Sequence, residues 1–381
     1  MQRSTDRILT THVGSMPRPQ DVVDMLFAQD RDELEDPSAF DETMGRAVLE
    51  IVDKQVDAGV DLVSDGEMSK ISYATYIRHR LAGFEIGEVP RATPKDLDEY
   101  PEYRDSLAQR GGTPTYHRPI CVGPIAVKDT APLEKDIEHL KAALKSNGSM
   151  GGFMNAASPG VVAVFQPNEY YPNDDAYLEA VARAMKQEYE TIVHAGLILQ
   201  VDCPDLAMGR HIQFRDLDDD EFLKHAELQV EALNYALSDV PAESVRMHVC
   251  WGNYEGPHTH DIPLHKILDV VLRAKPQAIL FEASNPRHAH EWTVWREAEI
   301  PEDKVLIPGV LDTTTNFIEH PKLVAERILR YADIVGRERV MAGTDCGFGT
   351  FAGFGAVHPT ITFGKLAALA EGAALASERL W

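Results

Sequence analysis

Short runs of β-branched and apolar residues alternate along the chain with longer stretches whose apolar positions recur every three or four residues. The short runs read as strands and the long ones as amphipathic helices, because side chains alternate across a strand but share a face about every 3.6 residues in a helix. Eight strands are predicted: ILTTHVG at 8–14, VDLVSDG at 60–66, GFMNAAS at 152–158, LILQVD at 197–202, VRMHVC at 245–250, AILFEA at 278–283, VLIPGV at 305–310 and RVMAGT at 339–344. Helical patterns lie between them, as at 176–196 and in the closing 362–380. This alternation predicts an α/β fold, a single (β/α)8 TIM barrel occupying 1–381 as one domain. A doubly wound sheet is disfavoured because no G-x-G-x-x-G follows an early strand. The polar, proline-rich stretch 85–118 breaks the rhythm, and the strand-like RPICVGPIAV follows it at 118–127. Residues 85–127 are read as an excursion from a barrel loop, a hairpin over the mouth that serves as a lid or as a contact in a homo-oligomer.

Chemically active residues fall at the ends of nearly every predicted strand. His12 and Ser15 close the first and Asp65 and Glu67 the second. VDCPD then brings Asp202 and Cys203, HVCWGN brings His248 and Cys250, FEASN brings Glu282, GVLDT brings Asp312 and GTDCGFG brings Cys346. In a barrel these ends share one face, where the strand-to-helix loops build the site. His248 and Cys250 stand two apart, so a strand turns both side chains the same way. Glu282 and Cys346, from the next strand and the last, can converge on them. Imidazole and thiolate suit zinc, so these four are the candidate ligands of a Zn2+ ion. Ligands spread over three strands point to a catalytic metal rather than to a structural knuckle.

Composition narrows the partners. Acidic residues number 61 against 37 basic ones, a formal charge of −24. Such a surface repels nucleic acid and anionic membranes, so neither is expected as a partner. No apolar run approaches the roughly 20 residues of a membrane span, and the N-terminal residues carry no export signal, so a cytoplasmic location is expected. The four cysteines, at 121, 203, 250 and 346, are too sparse for a disulfide scaffold.

These motifs together resemble the catalytic barrel of the cobalamin-independent methionine synthases. The resemblance runs from TTHVGSMPRP (10–19) to LASERLW (375–381) and includes DGE at 65–67, H-x-C at 248–250, EAS at 282–284 and DCG at 345–347. It implies zinc held by His248, Cys250, Glu282 and Cys346, and the amino-acid part of homocysteine held at Val13, Ser15, Glu67 and Asp202. It further implies a methyltransferase in which zinc makes the substrate thiol a nucleophile for a small alkyl donor. The features that hold methylfolate are largely missing: the family's acids read Cys203 and Met208 within DCPDLAMG (202–209), its stacking tryptophan falls near Phe165 or Gln166, and its histidine falls at Thr314. Two alternatives stay open. Some single-barrel relatives transfer epoxide carbons to coenzyme M, which would need Arg18 and Lys70 for the sulfonate and His12 or Tyr73 as an acid for the ring-opened alkoxide; Asp312 is a further catalytic candidate. A metal-free barrel like the uroporphyrinogen decarboxylases would leave the His/Cys/Glu/Cys set without a purpose.

Overall fold

The structure, a computed structural model, describes residues 1–87, 93–109 and 118–381. Its named strands are β1 (Leu62–Ser64), β2 (Leu81–Gly87), β3 (Arg118–Val127), β4 (Gly151–Ala157), β5 (Ile198–Asp202), β6 (Val245–Val249), β7 (Ala278–Phe281) and β8 (Val305–Pro308). Six of them form a curled parallel sheet in the order β1-β4-β5-β6-β7-β8. Helices such as Asp174–His194 and Pro359–Leu380 lie where their apolar stripes were read.

The curl is completed by the two outermost predicted strands, which carry bridges rather than ladders. Leu306 bridges Val340, Gly309 bridges Gly343 and Thr10 bridges Ala342, all parallel. The Thr10 carbonyl then accepts the Leu62 N–H of β1 at 3.1 Å. Side chains add to the backbone bonds here. Asp61 Oδ2 accepts the Thr10 N–H at 2.8 Å, and the Thr11 hydroxyl donates to the Leu62 carbonyl at 3.0 Å. The Val13 N–H goes to the Thr344 hydroxyl at 3.2 Å. The two segments also exchange backbone bonds, the Thr11 N–H donating to the Ala342 carbonyl and the Ala342 N–H to the Leu9 carbonyl, both at 2.8 Å. A small apolar cluster of Leu9, Val13, Leu62, Leu280, Ile307 and Met341 ties these closing segments to the sheet.

β2 and β3 pair antiparallel, with Glu85 opposite Ile120, so the expected hairpin exists. Parts of the excursion, 88–92 and 110–117, lie outside the described residues. Within it, the turn Lys95–Asp98 and the helix Pro101–Gln109 dock on the loops after β5 and β6. Lys95 Nζ donates to the Arg215 carbonyl at 2.9 Å, and the Tyr103 hydroxyl donates to the Glu255 carbonyl. Those loops follow the carboxyl ends of parallel strands, so the excursion covers that end of the sheet. Among the described residues no helix is long and apolar enough to cross a membrane.

Candidate metal centre and pocket

His248 sits in β6 and Cys250 one residue beyond its end, while Cys346 lies in the loop after the closing segment 339–344. Their ligand atoms fall within 4.8 Å of one another, and all three residues are buried. The two thiol sulfurs are 3.7 Å apart. Two zinc–sulfur bonds of about 2.3 Å at a tetrahedral angle would set sulfurs roughly 3.8 Å apart, so the spacing of the two thiols fits zinc. Contact with Cys346, then burial and the Glu282 charge, pushes the Cys250 thiol well up. Burial works to lower His248, but its hydrogen bond to Asp202 and the nearby Cys346 outweigh burial and bring it to about 9.

Glu282, the fourth candidate ligand, is not part of this compact group. Its Oε1 accepts the Trp251 N–H at 2.7 Å and its Oε2 the Asn285 amide. It is thus held beside Cys250 by other partners. Asp345, in the same DCG motif as Cys346, works from behind. Its carboxylate accepts the N–H groups of Ala283, Ser284 and Asn285 at 2.8 to 2.9 Å, and its carbonyl faces His248 Nε2 at 3.2 Å.

A pocket opens onto the three donors and is also lined by Val13, Ser15, Glu67, Tyr73 and Asp202. Sequence reasoning had placed all five there. Asp202 is fixed by Asn155 Nδ2 and Gln200 Nε2, at 2.9 and 2.8 Å. Glu67 is buried with a left-handed backbone, φ 57°. Burial and the neighbouring Asp202 charge raise its carboxyl to about 7 against the pull of Lys70 and Arg18. Val13 contributes its side chain only, since its carbonyl accepts from Asn155 and Gln200 and its N–H is taken by Thr344.

Five other candidates, His12, Arg18, Lys70, Cys203 and Asp312, lie elsewhere. None of these residues lines the cavity. His12 is buried with Nε2 2.6 Å from Gln55 Oε1 and Nδ1 accepting from the Gly14 N–H, and burial lowers it to about 3. Both ring nitrogens are occupied, so it is part of the barrel interior. Arg18 donates from Nε to the Glu67 carbonyl at 3.0 Å and from Nη1 to the Gly349 carbonyl at 2.5 Å, with Nη2 3.8 Å from Glu67 Oε2. Lys70 donates to the Asn155 carbonyl at 2.6 Å and lies over the Tyr76 ring. Cys203 is a buried core thiol, pushed well up by burial and then by Asp205. Asp312 closes its own loop by accepting from Thr314 and Thr315.

The reading missed Asn253, Thr350 and Gly347 in the lining. Asn253 Nδ2 donates to the Gly347 carbonyl and to the Thr350 hydroxyl, both at 2.8 Å, and so braces the Cys346 loop. It lies in the HVCWGN strand end, which was its available signal. The supports Asn155 and Gln200 also had one: an amide inside an otherwise apolar strand needs a specific partner.

The cobalamin-independent synthase catalytic domain matches residues 8–359. The methionine synthase of Saccharolobus solfataricus is 24% identical over 376 residues, covering 97% of this chain and 95% of its own. That of Sulfurisphaera tokodaii is 23% identical over 372 residues, covering 97% and 93%. Among solved structures, a B12-independent methionine synthase from Shewanella sp. W3-18-1 in complex with selenomethionine superposes with a TM-score of 0.73 at 18% identity, covering 98% of this chain and 99% of that one. With the pattern matched across nearly its full length, the chain belongs to the cobalamin-independent synthase catalytic-domain family.

Proposed function

We propose that this protein is a zinc-dependent S-methyltransferase whose thiol substrate is an amino acid, homocysteine. One observation carries the choice of thiol. The cavity that reaches His248, Cys250 and Cys346 is lined by two carboxylates, Glu67 and Asp202, while Arg18 and Lys70 do not line it. An ammonium group entering there meets opposite charge. The sulfonate of coenzyme M would meet like charge in a buried site, at a cost of several kcal/mol. The full-length relatives are named methionine synthases, which supports the same reading.

His248, Cys250 and Cys346 would hold the ion, with Glu282 beside them as the exchangeable donor, since a carboxylate is the hardest of the four. When bound, zinc supplies the charge that lowers the thiol pKa, so that a nucleophilic sulfur exists at neutral pH. The protein groups do the rest. Glu67 and Asp202 fix the ammonium, the Ser15 hydroxyl is offered to the substrate carboxylate, and Tyr73 forms part of the same wall. The sulfur pair then forms the bond to the methyl carbon, and the old bond breaks with its pair going to the donor. Holding the two partners in line is the main contribution such a site makes.

The test is calorimetric titration of zinc-loaded protein with homocysteine and with coenzyme M in two buffers of different ionisation heat. Homocysteine should bind with about one proton released per site, and coenzyme M should not. The same signal from coenzyme M alone would move the protein to epoxide chemistry, and silence from both would remove the thiol assignment.

A further inference from the structure

The excursion plays no part in the reading above, yet it presses a fully buried carboxylate against the loop that carries Cys250. Asp96 is 0% exposed, and its Oδ2 accepts the Tyr254 hydroxyl at 2.7 Å and the His258 N–H at 2.6 Å. His258 has φ 52°, a left-handed backbone that a non-glycine residue keeps only where its surroundings hold it. Behind this turn, the His258 and His288 rings both bond Asp261 Oδ2, at 2.8 and 2.9 Å, and His211 Nδ1 lies 3.4 Å from Oδ1.

This cluster grips Trp251 from three sides. His211 Nε2 donates to the Trp251 carbonyl at 2.9 Å, and the His288 ring stacks on the indole at 4.2 Å. The indole N–H donates to the Ile262 carbonyl at 2.7 Å. Trp251 directly follows Cys250, and its own N–H is the donor to Glu282 Oε1. A continuous path therefore runs from Asp96, on the excursion, to two of the four candidate zinc ligands.

We propose that Asp96, together with the His258–Asp261–His288 cluster, consists of positioning residues for the metal centre: docking of the excursion sets Trp251, and Trp251 sets Cys250 and Glu282. The proposal rests on the zinc reading above. Groups that orient metal ligands from behind commonly change metal affinity by about 10- to 100-fold when removed. A carboxylate buried merely to pack the excursion would contribute to stability and leave the metal untouched.

The experiment uses the full chain. Zinc affinity is measured by competition with a chromophoric chelator, and absorption of the cobalt(II)-substituted protein reports the donor set. Asp96→Ala should weaken zinc by at least about 10-fold and alter the cobalt bands. Asp96→Asn, which keeps an oxygen for the same two donors, should recover most of both. If Asp96→Ala lowers the melting temperature of metal-free protein but leaves affinity and cobalt bands unchanged, the proposal is overturned. Should Asp96→Ala fail to fold, Tyr254→Phe removes one of the two donors alone, and unchanged zinc affinity there is equally fatal. Absence of zinc binding in the unaltered protein would instead sink the metal reading itself, so the two failures are distinguishable.

Discussion

Glu67 shows how much of this site depends on where a side chain ends up rather than on what it is. Its Oε2 makes no hydrogen bond, and the nearest cation, Arg18 Nη2, is 3.8 Å away. Its carboxyl, raised to about 7 chiefly by burial, is neutral below that pH and ionised above it. Because the folded pKa lies above the unfolded value of 4.5, this group's contribution to stability falls as pH rises from 4.5 to about 7. Ligand binding has the opposite sign, since only the ionised form attracts an ammonium. Methionine carries that ammonium without a titrating thiol, so it isolates the effect. Its affinity for the protein should rise about 10-fold between pH 6 and 8, following the ionised fraction of one group. In Glu67→Gln the profile should be flat and binding weak; a wild-type profile that is already flat would remove Glu67 from the ammonium site. Position at a strand end made Glu67, Asp202 and Ser15 legible in the sequence. His12 and Asp312 share that position and Arg18 and Lys70 follow soon after it, but their side chains turn to Gln55, neighbouring threonines and backbone carbonyls, and no pattern of residue types reveals that turn.

At the scale of elements, the predicted strands 8–14 and 339–344 show where periodicity stops being informative. ILTTHVG has the composition of a strand, yet Asp61, Thr344, Asn155 and Gln200 take up backbone groups that a neighbouring strand would otherwise pair. Such substitution depends on residues up to 331 positions away, which local pattern cannot show. The segment is consequently sensitive at Gly14. Its φ is 142°, and a Cβ there would lie 2.3 Å from Asn155 Oδ1. Gly14→Ala must displace the amide that holds both the Val13 carbonyl and Asp202. Backbone strain and the clash together should destabilise the protein by on the order of 3 kcal/mol, read as a lowered denaturant midpoint. Methionine binding should weaken as well, because Asp202 loses a support. A variant with unchanged midpoint would show that the closing segment yields more freely than these contacts imply.

For the whole molecule, a metal held by the three donors would work as a clip across the sheet. Cys250 and Cys346 are 96 positions apart in sequence and join the end of β6 to the loop after the last closing segment. That closing segment lies outside the named strands and joins them through isolated bridges, so a metal that bound only the folded chain would tie it to the sheet. The eight-fold rhythm and the convergence of His248 with both cysteines were legible in the sequence, because strand ends of a parallel barrel share a face. The docking of the excursion was not, since it depends on Asp96 finding Tyr254 and His258 across the mouth. Zinc at about 100 times its dissociation constant should stabilise the protein by about 2.7 kcal/mol over chelated protein. The gap should widen with pH for two reasons of the same sign. Taking up the ion displaces protons from the thiols and from His248, so loading strengthens as pH rises. In the metal-free chain, His248 is raised from 6.5 to about 9 by Asp202 and Cys346 against burial, so the stability it contributes below pH 6.5 is lost as pH climbs toward 9. Scanning calorimetry with zinc and with chelator at pH 6, 7 and 8 measures both effects. Cys346→Ser should reduce the zinc-dependent shift at every pH. Identical melting with zinc and with chelator would mean that the three donors, although close enough, do not hold the ion in solution.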